Sequence, residues 1–342
     1  MIFFYIALFA IVLIGLRYRR YNQDYISVSQ TNAIKGIFIW LVFMGHILPY
    51  ITRIIPFDLL VDRYASDFVA VFKQLVVVPF LFYSGYGVMN SIKNKGTGYV
   101  DLIPKNRVLN TMLNFDVAVL IFICMNLILG IPMELKQALL SFLCWESVGN
   151  SNWYIFTICI CYLVSYLSHK CFGYSRWAIV SNFFILFVFI IIISRFKGSW
   201  WYDTCLAYSA GCAFCYYKEY IESALSRKYY LYGILIGASF VISFILQAKL
   251  PSFAALFMNI SSIFFALLIV MLSMKFQLKS RILEWSGKNL FPLYIYQRLP
   301  MILFSTIGGG CMVGEFKYMY VIICAAATIL IVHLYKYITI KI

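Results

Sequence analysis

Apolar residues along the chain gather in long runs separated by short polar segments. Runs of this length cross about 30 Å of hydrocarbon as helices. They place spans near 1–16, 36–52, 68–91, 110–130, 152–168, 177–194, 204–217, 229–247, 252–274, 289–307 and 317–335. The pattern predicts an all-α, polytopic integral membrane helix bundle of about 10–11 transmembrane helices. The runs at 1–16 and 204–217 are short for that thickness. The longest loops have only about fifteen to twenty residues, so 1–342 reads as a single transmembrane domain with its chemistry in or at the edge of the bilayer. Irregular backbone at that depth is tolerated only around a cavity or inside protein. Pro79 and Gly85-Tyr86-Gly87 are the candidate interruptions in the third run. No internal repeat is visible, which weakens a secondary-transporter reading.

Composition agrees: 63% of residues are apolar and 12% charged, against roughly 45–50% and 25% in soluble domains. The net charge of +15 raises nucleic acid as a partner, but no basic domain or recognition motif accompanies it. Topology explains it better. If the loops alternate sides, nineteen Lys and Arg fall on one side, including Lys35, Lys105, Arg107 and Lys341, and seven on the other, including Arg53. Short cytoplasmic loops are the basic ones, so the N-terminus is expected outside and the C-terminus in the cytoplasm. The run at 1–16 has its charges, Arg17, Arg19 and Arg20, after it rather than before it, and is read as a retained span. The ten cysteines lie mostly within apolar runs without zinc-like spacing and read as small buried hydrophobes. No metal and no tightly bound cofactor is expected.

Few polar residues interrupt the runs. Lys35 and His46 are eleven residues apart; on one helix their side chains point within about 20° of each other and about 16 Å apart along the axis. An ionisable group at membrane depth costs about 2.5–3.5 kcal/mol and usually faces a cavity or partner helix. The lysine suits a phosphate-bearing donor and the histidine suits a general base. The plainer alternative is an interfacial lysine and a helix-packing histidine. In the third run Tyr83 and Tyr86 bring hydroxyls into an apolar layer, while Ser84 and Gly85 permit close helix approach, which small residues in membrane helices serve more often than ligand binding. Lys93, Lys95, Lys105 and Arg107 form a basic loop that cradles phosphates or simply sets topology. Asp116 in the fourth run needs a partner, with His46, Lys73 and Arg107 as the conceivable ones. Trp153 and Tyr154, in Asn150-Ser151-Asn152-Trp153-Tyr154, and the Gly198–Asp203 stretch are either an aromatic interfacial belt or faces for a sugar. Arg298 lies well inside the tenth run and must reach a cavity, the surface or a carboxylate, so ligand binding and a structural ion pair both remain open.

Read together, Asn32-Ala33-Ile34-Lys35-Gly36 with His46, Phe82-Tyr83-Ser84-Gly85-Tyr86, Trp153-Tyr154, and Gly287-Lys288 through Tyr294 resemble, in the correct order, the motifs of the membrane-bound acyltransferase-3 family. The resemblance covers about 28–335, leaving 1–20 as an extra N-terminal span. It is strongest to the shorter members that act on sugars, such as fucose O-acetylase-like proteins. The chain departs from the family pattern in three places. Lys35 stands where the family has arginine, Asn110 takes the second place of a paired-arginine motif that keeps Arg107, and Gln297 stands where many members have histidine. The resemblance implies an O-acyltransferase using acyl-CoA, most simply acetyl-CoA, as donor substrate. Lys35, Lys105 and Arg107 would bind that donor. His46 would be the catalytic base toward a hydroxyl of a surface polysaccharide or its lipid-linked precursor. Ser84, Tyr86, Asp116, Trp153, Tyr154 and Arg298 would shape the acceptor pocket. Burial tends to keep an imidazole neutral and able to accept a proton. The alternatives are a transporter or flippase of a lipid-linked saccharide with His46 and Asp116 as proton relay, and an accessory subunit of polysaccharide assembly. Membrane lipids are expected partners, and nucleic acid is not.

Overall fold

The computed structural model describes residues 2–52 and 60–340. Arg53, Lys341 and the side chain of Lys73 lie outside the described residues. The helices run in the order α1 (Ile2–Gly15), α2 (Val28–Thr52), α3 (Leu60–Phe72), α4 (Val78–Lys95), α5 (Thr97–Ile103), α6 (Asn110–Ile128), α7 (Leu135–Ser141), α8 (Trp153–Phe172) and α9 (Arg176–Ile193). They continue with α10 (Leu206–Tyr216), α11 (Lys218–Arg227), α12 (Tyr229–Lys249), α13 (Ala254–Lys275), α14 (Arg281–Lys288), α15 (Leu290–Tyr296), α16 (Arg298–Gly314) and α17 (Lys317–Tyr335). Strands β1 (Leu16–Tyr18) and β2 (Phe276–Leu278) form a two-stranded antiparallel ribbon with Arg17 opposite Gln277.

The chain is a multi-pass membrane helix bundle. Eight helical stretches among the described residues are long and apolar enough to span a bilayer. Three of the eleven expected spans are not among them. The first is the 14-residue α1, and the 204–217 run gives only the 11-residue α10, about 16 Å long. Nearly all of α10 is buried, so protein rather than lipid surrounds most of it, the condition under which a half-length helix is stable at depth. The third, 289–307, breaks between α15 and α16 at Gln297, whose Nε2 donates to the Tyr294 carbonyl at 3.1 Å. The expected third span also shifts. Its first residues belong to α3, separated from α4 by a tight turn at Lys73–Val77, because Asp62, Arg63 and Asp67 keep α3 too polar to continue the membrane helix.

Loops assigned to one side by the charge count meet one another. At one end Gln30 stitches α2 to the ribbon, donating to the Phe276 carbonyl at 3.2 Å and accepting from the Leu278 amide at 2.9 Å. There, too, Lys93 pairs with Glu219 and Lys170 with Asp101. At the other end Thr157 bonds the Trp201 carbonyl and Asn259 the Tyr202 carbonyl. Lys197 sits 4.3 Å over the Trp145 ring and 4.9 Å over Trp201, so that aromatic cluster holds a lysine of its own chain.

Two glycine-lined crossings fix the helices that carry the polar residues. A methyl at Gly36 would fall on the Leu283 carbonyl oxygen, and one at Gly287 on that of Asn32, so α2 and α14 touch backbone to backbone. Gly85 and Gly211 are related in the same way, against the Tyr208 and Phe82 carbonyls, where α4 crosses α10. Without a hydrophobic drive between helices in lipid, such close approach supplies dispersion contact. It also locks the rotation of α2 and α4, and so the directions in which His46 and Ser84 point.

Candidate active site

Lys35 and His46 both lie in the helical stretch of α2, so they keep the common stripe and the spacing of about 16 Å. His46 lines a cavity of about 390 Å³ with Val42, Gly45, Thr52, Gln74, Trp153 and Tyr294. Its Nδ1 is buried and has no hydrogen-bond partner among the described residues. Pro49, one turn on, has no amide hydrogen and so cannot bond the Gly45 carbonyl. That leaves a backbone acceptor beside the imidazole on the same wall. The other two histidines are committed elsewhere. His169 bonds the Ser165 carbonyl and the Met89 sulfur through its two ring nitrogens, and His333 bonds the Ile329 carbonyl and stacks on Trp285.

A second cavity, of about 360 Å³, is lined by Ser84, Asn106, Arg107, Asn110, Asn114, Tyr154, Tyr162, Tyr294, Tyr335 and Thr339, among others. Arg107 stands on a π-helical turn, Pro104–Leu109, that joins α5 to α6. Such turns re-aim side chains and recur at functional sites; here Arg107 reaches the wall while Lys105 is exposed to solvent. Arg107 Nε donates to the Tyr99 hydroxyl at 3.1 Å, and its guanidinium lies 5.9 Å from the Tyr162 ring centre. Asn114 closes the floor, accepting from the Ile340 amide and the Thr339 and Tyr335 hydroxyls and donating to the Ile340 carbonyl.

Tyr294 lines both cavities. Its ring centre is 6.1 Å from that of His46 on one side and 5.2 Å from that of Tyr154 on the other. Trp153 faces the His46 cavity and Tyr154 the Arg107 cavity. A partition one aromatic ring thick therefore separates the imidazole from the second cavity. The Tyr294 hydroxyl is also buried, with the Ser151 side chain beside it.

The other expected site residues disperse. Lys35 is half-buried, makes no ion pair or hydrogen bond among the described residues and lines neither cavity. Tyr86 packs on Phe214, 6.3 Å between ring centres, and lines neither cavity. Asp116 lines neither; its Oδ1 is buried and unpartnered among the described residues, with no bond to His46 or Arg107. Asn152 holds its own loop by donating to the Cys144 and Glu146 carbonyls. Arg298 borders a third cavity, of about 250 Å³, between Tyr50 and Asn150. Of the residues that sequence reasoning passed over, Tyr162, Asn114 and Tyr335 carry no local signal; each reaches the site through tertiary packing. Tyr294 was visible only as the end of the Gly287-Lys288 motif.

The arrangement offers a proton acceptor in one cavity, a guanidinium in the other, and a hydroxyl between them. Among the described residues no cluster of His, Cys, Asp and Glu is placed to hold a metal ion. Compared with protein-family models, curated proteins and solved structures, the chain matches none.

Proposed function

We propose that the chain is a membrane O-acyltransferase that moves an acyl group, acetyl in the simplest case, from acyl-CoA to a hydroxyl of a surface polysaccharide or its lipid-linked precursor. This is the activity that the acyltransferase-3 resemblance implies. The observation that carries it is Tyr294, standing between the His46 cavity and the Arg107 cavity. A two-substrate reaction across a membrane needs separate approaches that converge on one base, and this arrangement supports that. The loop charge bias supports an orientation in which the Arg107 cavity opens toward the cytoplasm of the inner membrane, with the N-terminus outside and the C-terminus inside.

In this reading Arg107 holds donor phosphate at the cytoplasmic mouth, and Lys105 adds charge at the surface. The pantetheine arm passes Ser84 and Tyr162 and brings the thioester to Tyr294. Attack needs the hydroxyl and the thioester within about 3–3.5 Å of each other, so the Tyr294 ring turns aside to join the two cavities, and His46 then takes the proton from the acceptor hydroxyl as its oxygen attacks the thioester carbonyl. The carbon–sulfur bond then breaks, and the proton returns to the departing CoA sulfur. Tyr294 is placed to donate to the carbonyl oxygen as charge develops there.

Arg107→Gln is expected to raise the KM for acetyl-CoA about 10- to 100-fold, the worth of a charge-assisted phosphate contact. The rate at saturating donor should change much less. Lys35→Ala should act in the same direction but more weakly, because Lys35 lines neither cavity. Steady-state CoA release by purified protein measures both. An unchanged KM in Arg107→Gln would remove that residue from donor binding.

A further inference from the structure

Arg298 is a cation at membrane depth with no carboxylate to pair with among the described residues. It opens α16 directly after the break at Gln297, and its guanidinium faces the wall that it shares with Tyr50 and Gly149. Its two hydrogen bonds are long, Nη1 to the Asn150 carbonyl at 3.4 Å and Nη2 to the Tyr50 hydroxyl at 3.5 Å, and its Nε is buried with no partner among the described residues. Five N–H donors are thus barely used. Beside it, Asn150 Nδ2 is buried and equally unpartnered among the described residues, whereas buried polar atoms are normally satisfied. Both orphans, Arg298 Nε and Asn150 Nδ2, can only donate. Arg298 follows Tyr294 by four residues across the break at Gln297, and the Tyr294 ring centre lies 6.1 Å from that of His46.

A guanidinium on a cavity wall, with its Nε buried and unpartnered beside the unpartnered Asn150 Nδ2, matches an oxyanion, which guanidinium binds through two parallel hydrogen bonds. We propose that the acceptor is acidic: Arg298, with Tyr50 and Asn150, holds a carboxylate or phosphate of the glycan while a neighbouring hydroxyl faces His46. The identity of the reacting hydroxyl rests on the acyltransferase reading. The oxyanion site itself does not.

The test is equilibrium binding, in detergent or nanodiscs, of three lipid-free oligosaccharides: one containing a hexuronic acid, its carboxyl-reduced twin, and the same neutral glycan carrying a phosphate. Wild type should bind the uronic acid form, the phosphorylated form or both at least about thirtyfold more tightly than the neutral twin. Arg298→Gln should erase that preference, and Arg298→Lys should keep part of it. Equal binding of all three, binding of none, or a preference that survives Arg298→Gln would overturn the proposal. If Arg298→Gln does not fold, the wild-type and Arg298→Lys comparison across the three glycans decides. Should the preference hold while acetyl-CoA is never consumed, the acyltransferase reading fails and the oxyanion site stands.

Discussion

Replacing His46 by alanine is expected to slow acyl transfer about 10²- to 10⁴-fold, the contribution of a positioned general base, while the protein stays folded. The imidazole makes no hydrogen bond through Nδ1 that the fold would miss, and it stands on a cavity wall rather than in a packed layer. Neither remaining histidine can take over: His169 has both ring nitrogens engaged, and His333 stacks on Trp285 at an exposed position. Thermal unfolding close to wild type, together with collapsed kcat and a little-changed donor KM, is the expected combination. A variant that transfers at wild-type rate would show that the proton goes elsewhere.

Replacing Gly85 by alanine should destabilise the bundle by about 1–3 kcal/mol or more, the cost of overpacking a close contact. The added methyl meets the Tyr208 carbonyl oxygen, which is backbone and cannot swing aside, so α4 and α10 must part. Gly87 lies on the same helix, and nothing stands within 4 Å of a methyl there. Gly87→Ala should therefore be neutral or stabilising by up to about 1 kcal/mol. Comparing the two by thermal unfolding in detergent isolates packing from helix propensity, since both changes gain the same propensity. Equal effects would deny the backbone crossing. Because Ser84 precedes Gly85 and lines the Arg107 cavity, the loosened variant should also bind donor more weakly.

Most of the helices could be read from the apolar runs, because a run long enough to span hydrocarbon has one stable solution there. His46 and Arg298 were legible for the same reason: each is a polar group whose presence at depth demands an explanation. The exceptions depend on neighbours. Whether the run at 204–217 spans the membrane or forms an 11-residue buried helix is decided by what covers it, and the break at Gln297 depends on a side chain folding back onto its own helix. Tyr294 is one of 27 tyrosines, and nothing local separates the one that divides two cavities from those that pack. The Asn114 cluster joins residues 226 positions apart, beyond any local pattern. Lys35 is a different case: its spacing to His46 survives, yet a shared stripe on one helix did not bring it to either cavity wall.

Whether the protein transfers acyl groups is tested most directly by proton NMR of surface polysaccharide from cells expressing wild type, His46→Ala or no protein, at matched expression. Acetyl or related acyl signals with wild type alone are expected. Signals unchanged across all three would contradict transfer to that polymer and turn attention to movement of a lipid-linked saccharide through the same two cavities.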